Sequence, residues 1–60
     1  MEKLEKIKEL IKELEIDTTK FFVKGNQTAG RRARKFAQEI KALLYELRKE
    51  ISNNYESTEE

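Results

Sequence analysis

The chain has one place where a long helix can end, and it lies near the middle of the sequence. Proline is absent, and the two glycines are Gly25 and Gly30. Glycine and proline interrupt regular structure more strongly than other residues, so the chain must bend close to these positions. Gly25 suits the left-handed residue that follows a helix, and Asn26 or Thr28 suits the N-cap of the next helix. The sequence therefore predicts two elements joined by a short turn.

Both halves of the chain carry apolar residues at helical spacing, and together they predict an all-α, antiparallel two-helix hairpin. The first stripe consists of Leu4, Ile7, Ile11, Leu14, Thr18 and Phe21, with Leu10 and Phe22 beside it. The second stripe consists of Ala29, Ala33, Phe36, Ala37, Ile40, Leu43, Leu44, Leu47 and Ile51. We place the helices near residues 2–23 and 27–52, with a basic turn at 24–27. Residues 52–60 contain three acids and no base, and they predict a flexible acidic tail.

Gly30 falls within the first turns of the second predicted helix, where glycine costs up to ~1 kcal/mol relative to alanine. Close approach of the first helix, or of a ligand backbone, would explain it. A frayed helix start explains it equally well, so both interpretations stay open.

A hairpin of this length has little means of stabilising itself. A chain of 60 residues buries only roughly 60% of its unfolded surface. Cysteine and histidine are both absent, which removes disulfides and the usual zinc sites. Two copies could bury both apolar stripes, so we expect a homodimeric helical bundle.

The charges of the chain are concentrated at the turn. Residues 18–35 contain six positive charges and no negative one, although the net charge is only +1. A solvated polar face is the usual meaning of charges on a helix, but acidic partners three or four residues away would then be expected. Because this window contains none, we expect its charge to stay uncompensated and to meet a polyanion.

The predicted partner is the phosphate backbone of double-stranded DNA, which the cations and the positive end of the second helix would contact. The candidate DNA-binding residues are Lys20, Lys24, Gly25, Asn26, Arg31, Arg32, Arg34, Lys35 and Lys41. RNA in place of DNA, and a hairpin that recruits a protein through its apolar stripes, remain alternatives. We expect no enzyme activity, cofactor, metal, small-molecule substrate or membrane span, because the motifs and apolar runs that these require are missing.

The segment from Val23 to Lys35 reads Val-Lys-Gly-Asn-Gln-Thr-Ala-Gly-Arg-Arg-Ala-Arg-Lys. It resembles the core motif of the bacterial histone H1-like, chlamydial-type family, in which a Lys-Gly-Asn break precedes small residues and an Arg-x-Arg-Lys cluster. The similarity covers about residues 3–51, since an Ile/Leu-rich helix ending in Leu-Arg-Lys follows the motif in both.

We expect a cytoplasmic protein from the lack of an apolar run long enough to span a membrane. The resemblance implies a nucleoid-associated protein that binds DNA with little sequence preference. Carried onto this chain, it points to Lys24, Gly25, Asn26, Arg31, Arg34 and Lys35. The chain departs from the family pattern at Gln27 and Thr28, where a lysine and a small residue would be expected. It also has the acidic residues 52–60 in place of the long Lys/Ala-rich tail of some members.

Overall fold

The computed structural model of the chain describes the backbone of residues 1–58 and the side chains of residues 1–54. Helix α1 spans Glu2–Lys24 and helix α2 spans Gln27–Thr58. The two helices run antiparallel, because residues near the start of α1 meet residues far along α2, as in the ion pair of Lys3 with Glu46. The predicted all-α helical hairpin is thereby confirmed.

The turn between the helices is built by Gly25 and Asn26. Gly25 has a φ of 68°, the left-handed conformation that glycine adopts without strain, and its N–H donates to the carbonyl of Phe21 at 3.0 Å. The Asn26 side chain then starts α2, because its Oδ1 accepts the N–H of Ala29 at 3.0 Å. Of the two N-cap residues that the sequence allowed, Asn26 is the one used.

The second helix is longer than the sequence predicts. Its predicted end lay near residue 52, but α2 continues to Thr58. No glycine or proline occurs after Gly30, and a helix already formed gains one backbone hydrogen bond for each residue added. The predicted end is therefore about six residues too early, and residues 59 and 60 of the predicted tail lie outside the described residues.

The core is a single line of contact between the helices. Ile7, Leu10 and Ile40 are buried, and the half-buried side chains that pack against them are Leu14, Phe36, Leu43 and Leu47. Leu10, which lay beside the predicted stripe, is in the core, whereas Leu4 and Ile11 of that stripe are exposed. One neighbouring helix covers a narrower arc than the apolar stripe occupies, so part of the stripe stays uncovered.

Gly30 is explained by close approach of α1. A Cβ atom on Gly30 would lie 2.4 Å from Cδ1 of Phe21 and 2.8 Å from Cε1 of the same ring. These distances are well inside van der Waals contact, so only a residue without a side chain lets the Phe21 ring lie against α2. The two open interpretations of Gly30 are thus resolved in favour of helix packing.

No helix in the described part of the chain combines the length and the apolar composition that a membrane crossing requires.

Candidate nucleic-acid interface

The turn end of the hairpin carries a group of exposed cations, which we call the cationic tip. Its members are Lys20 and Lys24 from α1 and Arg31, Arg34 and Lys35 from α2, set around Gly25 and Asn26. All five cationic side chains are exposed. The hairpin therefore brings together charges that the sequence separates by up to 15 residues, Lys20 and Lys35 being the outermost.

Three of these cations border one surface depression. Arg31, Arg34 and Lys35 line it together with Gln38, and its volume is about 240 Å³. Within residues 1–54, no ion pair joins any of the three cations to a carboxylate. Their charge is available to an anion in solution.

Arg32 differs from its neighbours because it already has an anionic partner. Its guanidinium donates two hydrogen bonds to Asp17, from Nε to Oδ2 at 3.1 Å and from Nη2 to Oδ1 at 3.0 Å. Asp17 is only 3% exposed. These hydrogen bonds lower the pKa of the Asp17 carboxyl and raise that of Arg32. The expectation that the whole basic window stays uncompensated is therefore wrong at Arg32.

The position of Asp17 in the apolar row of α1 is the sequence feature that indicates this pair, and the distribution of charge along the chain does not show it. Asp17 follows Ile7, Leu10 and Leu14 at steps of three and four, so it continues the row that faces α2. A carboxylate in a core-facing row needs a partner, because an isolated buried charge is very unfavourable. The partner comes from the other helix, 15 residues away, and a search for acids three or four residues away cannot find it.

The start of α2 adds backbone donors to the cationic tip. The N–H of Ala29 is taken by Asn26, and the N–H of Gly30 donates to the Asn26 carbonyl at 3.2 Å. The N–H groups of Gln27 and Thr28 have no acceptor among the described residues, and both residues are exposed. Free N–H groups and the positive end of the helix dipole both favour an anion at this point.

Further along α2, the candidate Lys41 and the cations Arg48 and Lys49 are exposed as well. Arg34, Lys41 and Arg48 are seven residues apart, so they form a row along the helix that begins at the tip. Lys49 lies over the ring of Tyr45, with 5.5 Å between its Nζ and the ring centroid. The positive surface therefore extends beyond the tip.

One side of the hairpin is closed by ion pairs and the other is an open apolar groove. Asp17 pairs with Arg32, whereas the next residues, Thr18 and Ala33, line a groove of about 460 Å³. Consecutive helical residues point about 100° apart. Asp17 and Thr18 on α1 therefore lie on opposite sides of the line of contact between the helices, and so do Arg32 and Ala33 on α2. Phe22 and Arg34 also line the groove. The basic tip thus includes an apolar surface.

A comparison with protein-family models assigns the chain to a family. The model of the histone H1-like protein Hc1 family matches residues 1–57. The chain belongs to this family. No curated protein and no solved structure matches the chain.

Membership agrees with the resemblance that the motif at residues 23–35 indicated. Proteins of the histone H1-like Hc1 family are DNA-binding proteins of the nucleoid, not a family of enzymes, and this chain is a DNA-binding, nucleoid-associated protein in that sense. In the structure, the motif of this family member forms the turn and both sides of the tip. The match covers α1 and all but the last residue of α2.

Proposed function

We propose that this histone H1-like chain binds double-stranded DNA without sequence preference, through the cationic tip and the row of cations on α2. The observation that carries the proposal is the contrast between Arg31, Arg34 and Lys35, which have no carboxylate partner in residues 1–54, and Arg32, which has one. An unpaired cation can neutralise a phosphate and release its condensed counterions, whereas a cation already paired with a carboxylate contributes less. Arg32 is accordingly left out of the proposed contacts.

The kinds of side chain at the tip favour phosphate over bases. Lysine and arginine predominate, and the Oδ1 of Asn26 is occupied as a helix cap. Reading of base edges requires several correctly aimed Asn, Gln or Arg side chains on an element seated in a groove. Phosphate contacts position a protein on the duplex but carry no sequence information. The role proposed for Gly25 and Asn26 is to shape the turn and to leave the first N–H groups of α2 open to a phosphate.

The test is a salt titration of binding to a short duplex of mixed sequence. The logarithm of affinity should fall linearly with the logarithm of salt concentration between ~50 and ~200 mM. The slope of this line should steepen by about 0.9 for each phosphate that the chain neutralises. The joint change of Arg31→Ala and Arg34→Ala should reduce that slope by about 2.

A matched control is Lys8→Ala, which removes one exposed cation far from the tip. It should leave the slope close to that of the natural chain. Circular dichroism of each variant verifies that the hairpin is intact. Absence of binding at ~50 mM salt, or equal slopes for the double variant and the natural chain, contradicts the proposal. Tighter binding to duplex RNA than to duplex DNA would favour the RNA alternative.

We also propose that two copies of the chain associate through exposed apolar side chains. These side chains lie on the same side of the hairpin as the groove, in the half of the hairpin away from the tip. Leu4 and Ile11 on α1 continue the row of Thr18 at seven-residue steps, and Leu44 and Ile51 on α2 continue the row of Ala37. All four are between 40% and 58% exposed. Covering them would complete the core that a lone hairpin leaves open, and antiparallel copies would carry their tips at opposite ends.

Sedimentation equilibrium of the natural chain at micromolar concentration tests this association. We expect a dimer, and we expect Leu44→Glu to convert it into a monomer or an unfolded chain. Ile16→Glu is the control, because Ile16 is 50% exposed but lies on neither groove row. A folded monomer of the natural chain would contradict the proposal.

A further inference from the structure

The cationic tip carries an unusually exposed aromatic side chain. Phe22 is 77% exposed, more than any other large apolar side chain among residues 1–54. It lies in the last turn of α1 and lines the groove beside Arg31 and Arg34. Neither the helix packing nor the phosphate contacts proposed above gives this ring a role.

The Phe22 ring lies against a ring that is itself packed. The rings of Phe21 and Phe22 meet edge to face, with 4.9 Å between ring centroids and 82° between ring planes. Phe21 is itself held against the backbone of α2 at Gly30. Phe22 is therefore presented from a fixed base at the end of the hairpin, close to the cations that meet DNA.

We infer that Phe22 is an apolar wedge that inserts between stacked base pairs of the duplex, while Arg31 and Arg34 bind the phosphates beside the opened step. This inference rests on the proposed DNA-binding function and adds a binding mode to it. Proteins that bend DNA from the minor groove use Phe, Leu, Ile, Met or Pro in this way, flanked by cations. The insertion removes the Phe22 ring from water, and this burial offsets part of the free-energy cost of unstacking the base pairs.

The alternative occupant of this end of the groove is a second copy of the chain, and charge disfavours it. In a two-fold dimer the same surface patch faces itself. Packing of one Phe22 groove on another would bring Arg31 and Arg34 of both copies together, with no carboxylate of residues 1–54 paired to either arginine. Like charges in contact oppose association, whereas the phosphates of DNA neutralise them.

The experiment uses the full chain and a short duplex that contains 2-aminopurine, whose fluorescence rises when its base is unstacked. We compare the natural chain with Phe22→Ala, with Phe22→Leu and with the control Val23→Ala. Val23 is the next residue and is 74% exposed, but it does not line the groove. Affinity, its salt slope, duplex bending by energy transfer between the duplex ends, and sedimentation are measured for each.

We expect the natural chain to raise the fluorescence and to bend the duplex, and Phe22→Ala to lose both with about a tenfold loss of affinity. Its salt slope should stay unchanged, because Phe22 carries no charge. Phe22→Leu should keep most of the effect, and Val23→Ala should behave like the natural chain.

Three results overturn the wedge while the DNA-binding proposal survives. The first is salt-dependent binding without any rise in fluorescence. The second is an affinity that Phe22→Ala leaves unchanged. A shift of Phe22→Ala from dimer to monomer in sedimentation overturns it too, because Phe22 would then be a protomer contact. If the natural chain shows no salt-dependent binding, the DNA-binding proposal itself fails.

Discussion

The two flanks of the hairpin are built differently, although they flank the same core. We call one the ion-pair flank, where Asp17 meets Arg32 and Lys3 meets Glu46 and Glu50. On α1, Lys3 and Asp17 are 14 residues apart, and on α2 the same spacing separates Arg32 and Glu46. Because 14 residues are close to four helical turns, the Asp17–Arg32 and Lys3–Glu46 ion pairs lie on the same side of the hairpin. The other we call the apolar flank, which comprises the groove at the tip and the rows of Leu4 and Ile11 on α1 and of Leu44 and Ile51 on α2.

This difference teaches where a partner can bind. On the ion-pair flank the charged groups satisfy one another across the helices, and the flank can face water as it stands. On the apolar flank, exposed aliphatic and aromatic side chains lie beside unpaired cations. A surface with both kinds of group is typical of an interface and exceeds what scattered exposed apolar residues present.

The largest effect should come from the core line between the flanks. Leu10→Ala should lower the free energy of unfolding by about 2–5 kcal/mol, because it leaves a cavity between the helices. Ile11→Ala changes the adjacent, 47% exposed residue on the apolar flank and is the matched comparison. Urea denaturation at several protein concentrations measures both.

For Ile11→Ala the loss should depend on protein concentration if the apolar flank is covered in a dimer. Equal and concentration-independent losses for Leu10→Ala and Ile11→Ala would show that the two positions do not differ as the structure indicates.

On the ion-pair flank, Asp17→Asn should destabilise the hairpin by less than Leu10→Ala does. The variant leaves the Arg32 guanidinium without its carboxylate. Because folding lowers the Asp17 pKa below its ordinary value of 3.8, the unfolded chain binds the proton more readily. The stabilisation is therefore complete above about that value and is lost as the pH falls through the lower pKa of the folded state.

Thermal unfolding from neutral to acidic pH checks this prediction. The difference in Tm between the natural chain and Asp17→Asn should shrink as the solution becomes acidic. Glu9→Gln, a change at an exposed residue, serves as control and should follow the natural chain. A difference in Tm that stays constant with pH would show that the charge of Asp17 does not carry its effect.

At the tip, Gly30→Ala should destabilise the hairpin by about 1–2 kcal/mol, because the new Cβ would overlap the Phe21 ring at 2.4 Å. Glycine to alanine in an open helical position should instead stabilise by up to about 1 kcal/mol. The sign of the change in thermal stability is therefore diagnostic. An increase in Tm would mean that the Phe21 ring moves away at little cost and that its packing does not fix the tip.

The smallest effect should follow from Lys3→Met. Lys3 pairs with Glu46 and Glu50, and its hydrogen bond to Glu50 raises its pKa above the ordinary 10.5. A raised pKa gives stability that is complete below about 10.5 and is lost as the pH rises through the higher value of the folded state. Because both carboxylates are largely exposed, the loss of Tm at neutral pH should be less than for Asp17→Asn. An equal or larger loss would contradict the ranking of the two pairs.

The sequence was sufficient for the features that depend on local chemistry. The turn at Gly25 and Asn26 follows from conformational preferences, and the two helices follow from apolar spacing. Features that depend on the other helix were not accessible in the same way. Asp17 finds its partner across the hairpin, and which of Leu10 and Ile11 is buried depends on where α2 lies. The length of α2 was underestimated because its last residues lack apolar periodicity, yet nothing stops the helix there.

The packing of Phe21 against Gly30 has a consequence for how the two helices are aligned. If α2 slid by about one helical turn, the ring would meet a residue that has a side chain, Asn26 or Gln27 in one direction and Ala33 or Arg34 in the other, in place of the bare backbone. The contact therefore fixes the register of the helices at the turn end, together with the Asp17–Arg32 pair. Through it, one missing side chain sets the spacing between the aromatic ring of α1 and the arginines of α2.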